Sequence, residues 1–174
     1  MPHPDLETSR LLLRPVTPED YQAVFRWCGD PKVNKYMIYP LYKSAEAVRA
    51  WLESKPVASP DEFDYGFVLK ETGELIGEGG MFYHPEEGLW HIGYNLRSDL
   101  WGRGLTTEAM RAIIDYVCTA REVRVIEACH AVDNPASGAV MRKLGLTFDR
   151  DSQYSKLDGS ETFPAKTYRW ERKE

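Results

Sequence analysis

No run of apolar residues in this chain approaches the roughly 18 that a membrane-crossing helix needs, so no helical span and no membrane partner are expected. The opening residues, Met1-Pro2-His3-Pro4-Asp5, form neither a basic nor an apolar segment, and no secretory leader is expected. Cysteine is scarce: Cys28, Cys118 and Cys129 are an odd count of 3 without CxxC spacing. That pattern argues against a disulfide framework, and the two that fall inside apolar-periodic segments read as small core residues in a reducing cytoplasm. An excess of cationic side chains is also missing. With 22 Lys and Arg against 27 Asp and Glu, the net charge is −5, which argues against generic nucleic-acid binding and leaves room for an amine or basic peptide. No GxxxxGK[ST] phosphate loop occurs, and no set of metal ligands is assigned.

What remains is an ordinary globular composition, 43% hydrophobic and 28% charged, over 174 residues, expected to form one domain spanning 1–174. Leu11–Leu13 reads as a first strand. Thr17-Pro18-Glu19-Asp20 opens a helix carrying Tyr21, Val24, Phe25 and Cys28 at helical spacing, stopped by Gly29-Asp30-Pro31. Ser44 caps a second helix that ends before Pro56. Strands at Tyr65–Lys70, Leu75–Tyr83 and Leu89–Leu96 are separated by turns and form an antiparallel meander. Ala109, Met110, Ile113, Ile114, Val117 and Cys118 trace one face of a helix from Leu105 to Ala120. A strand at Val123–Ala131 follows, then a helix begun by Asn134-Pro135 and ended by Gly145, and a closing hairpin of Phe148–Tyr154 and Thr162–Trp170. The helical crossover makes Leu89–Leu96 and Val123–Ala131 parallel neighbours.

The stretch Trp101-Gly102-Arg103-Gly104-Leu105-Thr106-Thr107 enters its helix through two glycines with no Asp or Asn cap. The first amides of a helix lack internal partners and carry the positive end of the dipole. Glycines let an anion approach them closely. A dinucleotide fingerprint would need a third glycine where Thr107 stands, so the turn alone signals an anion site only weakly.

Taken with Glu7-Thr8-Ser9-Arg10-Leu11, Ile92-Gly93-Tyr94-Asn95-Leu96, the TEA run ending at Ala109, and Asn134 to Phe148, that stretch resembles the GNAT superfamily of acyl-CoA-dependent N-acyltransferases. The resemblance runs over nearly the whole chain and is strongest to the branch that acetylates the N-termini of ribosomal proteins, alanine among them. It implies a single-domain α/β fold with a central, mixed, mostly antiparallel sheet, splayed between the fourth and fifth strands and flanked by about four helices. It further implies an acetyltransferase that takes its acetyl group from acetyl-CoA, as co-substrate, and passes it directly to a primary amine, a protein N-terminus being one such acceptor. By the same resemblance, the coenzyme A pyrophosphate falls on the amides of Gly102, Arg103, Gly104, Leu105, Thr106 and Thr107. The pantetheine arm falls along Tyr94, Asn95 and Leu96, with Asn134 touching it. The superfamily consensus Gln/Arg-x-x-Gly-x-Gly/Ala has Trp101 in its first place here, usual for this branch, and Thr106 in its last.

Acyl transfer to an amine needs the amine neutral, the carbonyl polarised and the leaving thiolate protonated. The tyrosine that supplies that proton in much of the superfamily falls at Met141; the related branch has a serine, matched by Ser137. Two residues are candidates for the general base. His91 sits before Ile92-Gly93-Tyr94, where the branch carries glutamate, and Glu78 lies on the preceding strand. Both could equally be polar groups on a solvated sheet face, and members that use ordered water alone need neither. Trp27, Tyr36, Met37, Tyr39 and Tyr42 cluster between the first two helices, a segment that by the resemblance borders the acceptor cleft; it reads as a substrate-selecting lid or as a long loop packed on the core. The alternative reading, kept open by Met141, is a noncatalytic acyl-CoA-binding module. A homodimer is one compatible assembly.

Overall fold

The computed structural model describes residues 3–174; Met1 and Pro2, where the leader reading begins, lie outside them. Eight strands form one sheet: β1 (Leu6–Glu7), β2 (Leu11–Arg14), β3 (Glu62–Leu69), β4 (Glu74–His84), β5 (Leu89–Leu96), β6 (Val125–Ala131), β7 (Thr147–Ser155) and β8 (Thr162–Glu171). Their spatial order is β1-β2-β3-β4-β5-β6-β8-β7. All neighbouring pairs are antiparallel except β5 and β6, which are parallel, as the helical crossover between them requires.

The helices are α1 (Tyr21–Cys28), α2 (Pro31–Asn34), α3 (Ala45–Ser54), α4 (Leu105–Ala120) and α5 (Pro135–Lys143). Two elements go beyond the sequence reading. β1 is a two-residue strand paired to β2 through Leu6↔Leu13, too short to show a period. The Gly29-Asp30-Pro31 stop is also a start: Asp30 accepts a bond from the Lys32 amide and Pro31 takes the first helical position, opening α2. The splay therefore falls between β5 and β6, the fourth and fifth strands of the shorter count.

Side chains alternate across the sheet and fill two cores. Leu11, Leu13, Phe67, Ile76, Trp90 and Leu96 pack with Leu105, Met110, Ile113 and Val117 of α4. On the other face Val68 and Leu75 pack with Val24 and Trp27 of α1 and Val48 and Leu52 of α3. The α4 stripe is as its 3.6-residue period predicts, with Ile114 and Cys118 at its partly buried margin. At the end of α5, Leu146 N–H donates to Met141 O (3.1 Å) and Gly145 N–H to Arg142 O (3.0 Å), with Gly145 at φ 91°. This is a Schellman closure, whose expected apolar contact is supplied by Met141 and Leu146, both buried in the α4-side core. Cys129 is exposed on β6, while Cys28 and Cys118 are half-buried, and all 3 thiols are free.

Two features decide where the site lies. Along β5 and β6 only Trp90↔Ile126 and His91↔Glu127 pair, so beyond them the strands part and leave the β5 edge from Tyr94 to Leu96 without a β6 partner. Where β3 meets β4, a bulge at Phe67/Val68 changes the alternation, and Glu78, opposite Asn95, comes onto the α1–α3 face.

Candidate active site

Around the glycine turn the backbone is left-handed at Gly102 (φ 76°) and Gly104 (φ 74°), a region costly for any residue with a Cβ. Gly104 is the N-cap of α4 and no side chain caps it, so the first-turn amides stay available. The turn is held from the N-terminus of the chain. Glu108, in the first turn of α4, accepts hydrogen bonds from Thr8 Oγ1 (2.7 Å), Ser9 Oγ (3.2 Å), the Arg10 amide (2.9 Å) and Arg10 Nε (2.7 Å). Arg10 then reaches on to the Arg103 carbonyl at 2.9 Å. Burial works to raise the Glu108 pKa, but the bonds from Thr8 and Arg10 outweigh it and hold the carboxyl below its ordinary value. Distant motifs near the start of the chain and after the glycines are thus one latch that fixes the turn. The indole of Trp101 donates to Leu96 O (2.9 Å) and ties the end of β5 to the same turn, its ring half exposed.

At the splay, Tyr94 points towards α5. Its hydroxyl lies 2.9 Å from Ser137 O, to which it donates, and 3.1 Å from Ser137 Oγ. Burial pushes the phenol up to about 12, with the Ser137 contact pulling the other way, so it stays protonated near neutrality. Asn134 occupies the N-cap position of α5, but its side chain makes no capping bond. Met141, one turn beyond Ser137, is buried in the core and serves packing alone.

Across β5, Asn95 and Glu78 line a small recess together with Trp27, Cys28, Met37 and Tyr39. Glu78 is 9% exposed, and its Oε2 has no hydrogen-bond partner among the described residues. Burial first, then the Asp64 carboxylate, push Glu78 up to about 7, with Lys55 drawing it back. The aromatic segment over the recess is tied down rather than loose. Tyr36 OH donates to Asp133 O (3.1 Å), Lys156 Nζ donates to Met37 O (2.7 Å), and Tyr154 OH donates to Tyr36 O (2.6 Å). Of the expected lid residues, Trp27 instead belongs to α1 and is buried in the core.

The structure thus gathers Glu78 and Asn95 on one side of β5 and Tyr94 and Ser137 on the other, with the glycine turn at the strand's end. It does not bring His91 there. His91 shares a face with Asn95 but lies four residues back along β5, about 13 Å at about 3.3 Å per residue, and contacts Glu87. Sequence reasoning missed the Tyr94 hydroxyl, having used only that residue's backbone, and the Asp64–Lys55 pair beside Glu78. No local signal marks either, because both depend on which strand faces which.

An acetyltransferase (GNAT) domain model matches residues 10–147. The chain belongs to the GNAT acetyltransferase family and is an N-acetyltransferase. An uncharacterized N-acetyltransferase, p20 of Bacillus licheniformis, is 31% identical over 144 residues, 81% of each chain. In fold the chain is similar to a GNAT-family acetyltransferase from Bacillus anthracis (TM-score 0.82, 21% identity, 97% and 98% of the two chains covered). It is also similar to a ribosomal L7/L12 alpha-N-protein acetyltransferase in complex with coenzyme A (TM-score 0.79, 19% identity, 97% and 98% covered). No helix among the described residues is long and apolar enough to cross a membrane.

Proposed function

We propose that this chain moves an acetyl group from acetyl-CoA directly to a primary amine, an α-amine of a protein or peptide being the favoured acceptor. The observation that carries the reading is Glu78, a buried carboxyl raised to about 7, on the opposite side of β5 from the Tyr94–Ser137 hydroxyl pair. A thioester carbonyl lying in the splay would have a proton acceptor on one side and proton donors on the other.

In this reading the uncapped amides from Gly102 to Thr107 take the pyrophosphate, with the exposed Arg103 side chain adding charge. The unpaired edge of β5 at Tyr94, Asn95 and Leu96 hydrogen-bonds the pantetheine arm as an added strand would. In the same reading the Asn134 side chain, which makes no capping bond, touches that arm. These features fit the donor independently: one supplies anion-binding amides, the other an open sheet edge.

Glu78, ionised, accepts the proton lost by the ammonium of the acceptor, so that its nitrogen attacks as the neutral amine. As the carbon–sulfur bond breaks, Ser137 Oγ–H donates towards the departing thiolate, and Tyr94, bonded to the Ser137 carbonyl, holds Ser137 in position. His91 has no part. The net charge of −5 and the carboxyls of Glu78 and Asp64 by the recess suit a cationic acceptor. The aromatic segment from Tyr36 to Tyr42 bounds the recess and selects among amines.

The test is release of free thiol from acetyl-CoA against a panel of amines that includes peptides with free and blocked N-termini. Turnover with free but not blocked peptides supports the proposal. Turnover only with small diamines or amino sugars overturns the choice of acceptor. Tight acetyl-CoA binding without turnover on any amine would favour the binding-module alternative.

A further inference from the structure

The turn between β4 and β5 brings together His84, Glu87 and His91, whose ligand atoms all lie within 4.8 Å of one another. The fold causes this. His84 is the last residue of β4 and pairs with Leu89, so His91 is its diagonal neighbour on the same face of the hairpin. The two imidazoles sit with centroids 4.3 Å apart. Between them the chain turns tightly: the amides of Glu87 and Gly88 both donate to His84 O, at 3.1 and 2.8 Å, and Gly88 takes φ 68°. That turn folds Glu87 back over the face carrying the histidines, and its Oε2 lies 2.8 Å from His91 Nε2. Among the described residues, Glu87 has no Lys or Arg partner; its one ion-pair contact is His91.

We infer that His84, Glu87 and His91 form a binding site for a single divalent transition-metal ion, with zinc the best match, held apart from the acetyl-transfer site. Two imidazoles and one carboxylate are a borderline donor set suited to tetrahedral zinc, with solvent completing the fourth position. Hard cations such as Mg²⁺ prefer all-oxygen shells and are not expected to bind. Bringing donors from within 4.8 Å to a shared ion needs rotation of partly exposed side chains rather than backbone movement.

The placement gives the ion a structural role. His91 lies in the short stretch where β5 still pairs with β6, opposite Glu127, at the closed end of the splay. A metal there clips the β4–β5 turn to the base of the wedge and stiffens the two strands that carry Glu78 and Tyr94 further along.

The experiment titrates the metal-free 174-residue chain with Zn²⁺, and with Co²⁺ as a visible-absorbing probe, with Mg²⁺ as control. One equivalent of Zn²⁺ is expected to bind and to raise Tm by about 5 °C or more when well above Kd. Co²⁺ is expected to give the intense visible bands of a tetrahedral site. His84→Ala and Glu87→Gln should each weaken Zn²⁺ binding by roughly 100-fold, since even outer-shell partners are worth about 10–100-fold. A Cys129→Ser variant should bind as wild type does, which separates this site from capture by the exposed thiol. Absence of stoichiometric binding, retention of affinity in His84→Ala, or loss of binding in Cys129→Ser would each overturn the inference. Circular dichroism of each variant shows whether it is folded before titration.

Discussion

Replacing Glu78 by glutamine should do two opposite things, and both follow from its burial. The folded protein raises the Glu78 pKa from the ordinary 4.5 to about 7. Between those values the native state binds the proton that the unfolded chain has released. Its contribution to stability is therefore fully present below pH 4.5 and is lost as the pH rises through 7. At 1.36 kcal/mol per tenfold change, the carboxyl costs about 3 kcal/mol above pH 7, of which about 2–3 kcal/mol develops between pH 5 and pH 8. Glu78→Gln removes that dependence. An amide left unpaired in the recess costs about 1–3 kcal/mol at every pH, so it cancels when the two pH values are compared. The Tm of Glu78→Gln relative to wild type should rise by about 5–10 °C between pH 5 and pH 8.

Activity should move the other way. Loss of a general base typically lowers turnover by about 10²–10⁴-fold. The fall in wild-type kcat/KM as pH drops below about 7 should also disappear from the residual rate of the variant. The assays are thermal melts at both pH values and thiol release from acetyl-CoA with an amine found active in the panel. Turnover within a few-fold of wild type, or an unchanged acidic limb, removes Glu78 from the mechanism. A Tm difference independent of pH refutes the argument that the fold holds this carboxyl protonated.

Other predictions test the remaining parts of the site. Ser137→Ala should lower kcat by about 10²-fold, as loss of a single preorganised donor does elsewhere, with acetyl-CoA binding by calorimetry little changed; unchanged kcat removes Ser137 from proton donation. Gly104→Val places a branched Cβ at φ 74° over the helix amides, so it should cost roughly 1–2 kcal/mol of strain and weaken coenzyme A binding. Wild-type affinity in calorimetry would end the assignment of the pyrophosphate to this turn. Glu108→Ala deprives Thr8, Ser9 and Arg10 of their common acceptor and should lower Tm by about 4–8 °C, from a loss of about 2 kcal/mol. A Tm equal to wild type would show that the latch does not hold the turn.

Much of the architecture was readable in the chain because its signals are local. The α4 stripe repeats every 3.6 residues, Ser44 does accept from the Ala47 amide, and Gly73 and Gly159 mark turns by their left-handed backbone. The same reasoning overlooked α2, because the proline that ends one helix also suits the first position of the next. For the site, the glycine turn and Ser137 were legible as motifs, but what those motifs touch was not. Thr8, Ser9 and Arg10 meet Glu108 across about 100 positions of sequence, and only packing brings them together.

The choice between His91 and Glu78 shows where sequence stops. Alternation along β4 and β5 by itself determined that His91 and Asn95 share a face, and the chain's order of elements required a parallel β5–β6 pair. Tertiary structure alone decided that the pair closes only at Trp90 and His91, and that a bulge at Ile76, across from Phe67 and Val68, turns Glu78 into the recess. It also decided that His91 meets His84 and Glu87 instead. The physical reason is that a residue's periodicity tells which side of a strand it occupies. Its solvation, its pKa and its partners depend on what the rest of the chain lays against that side.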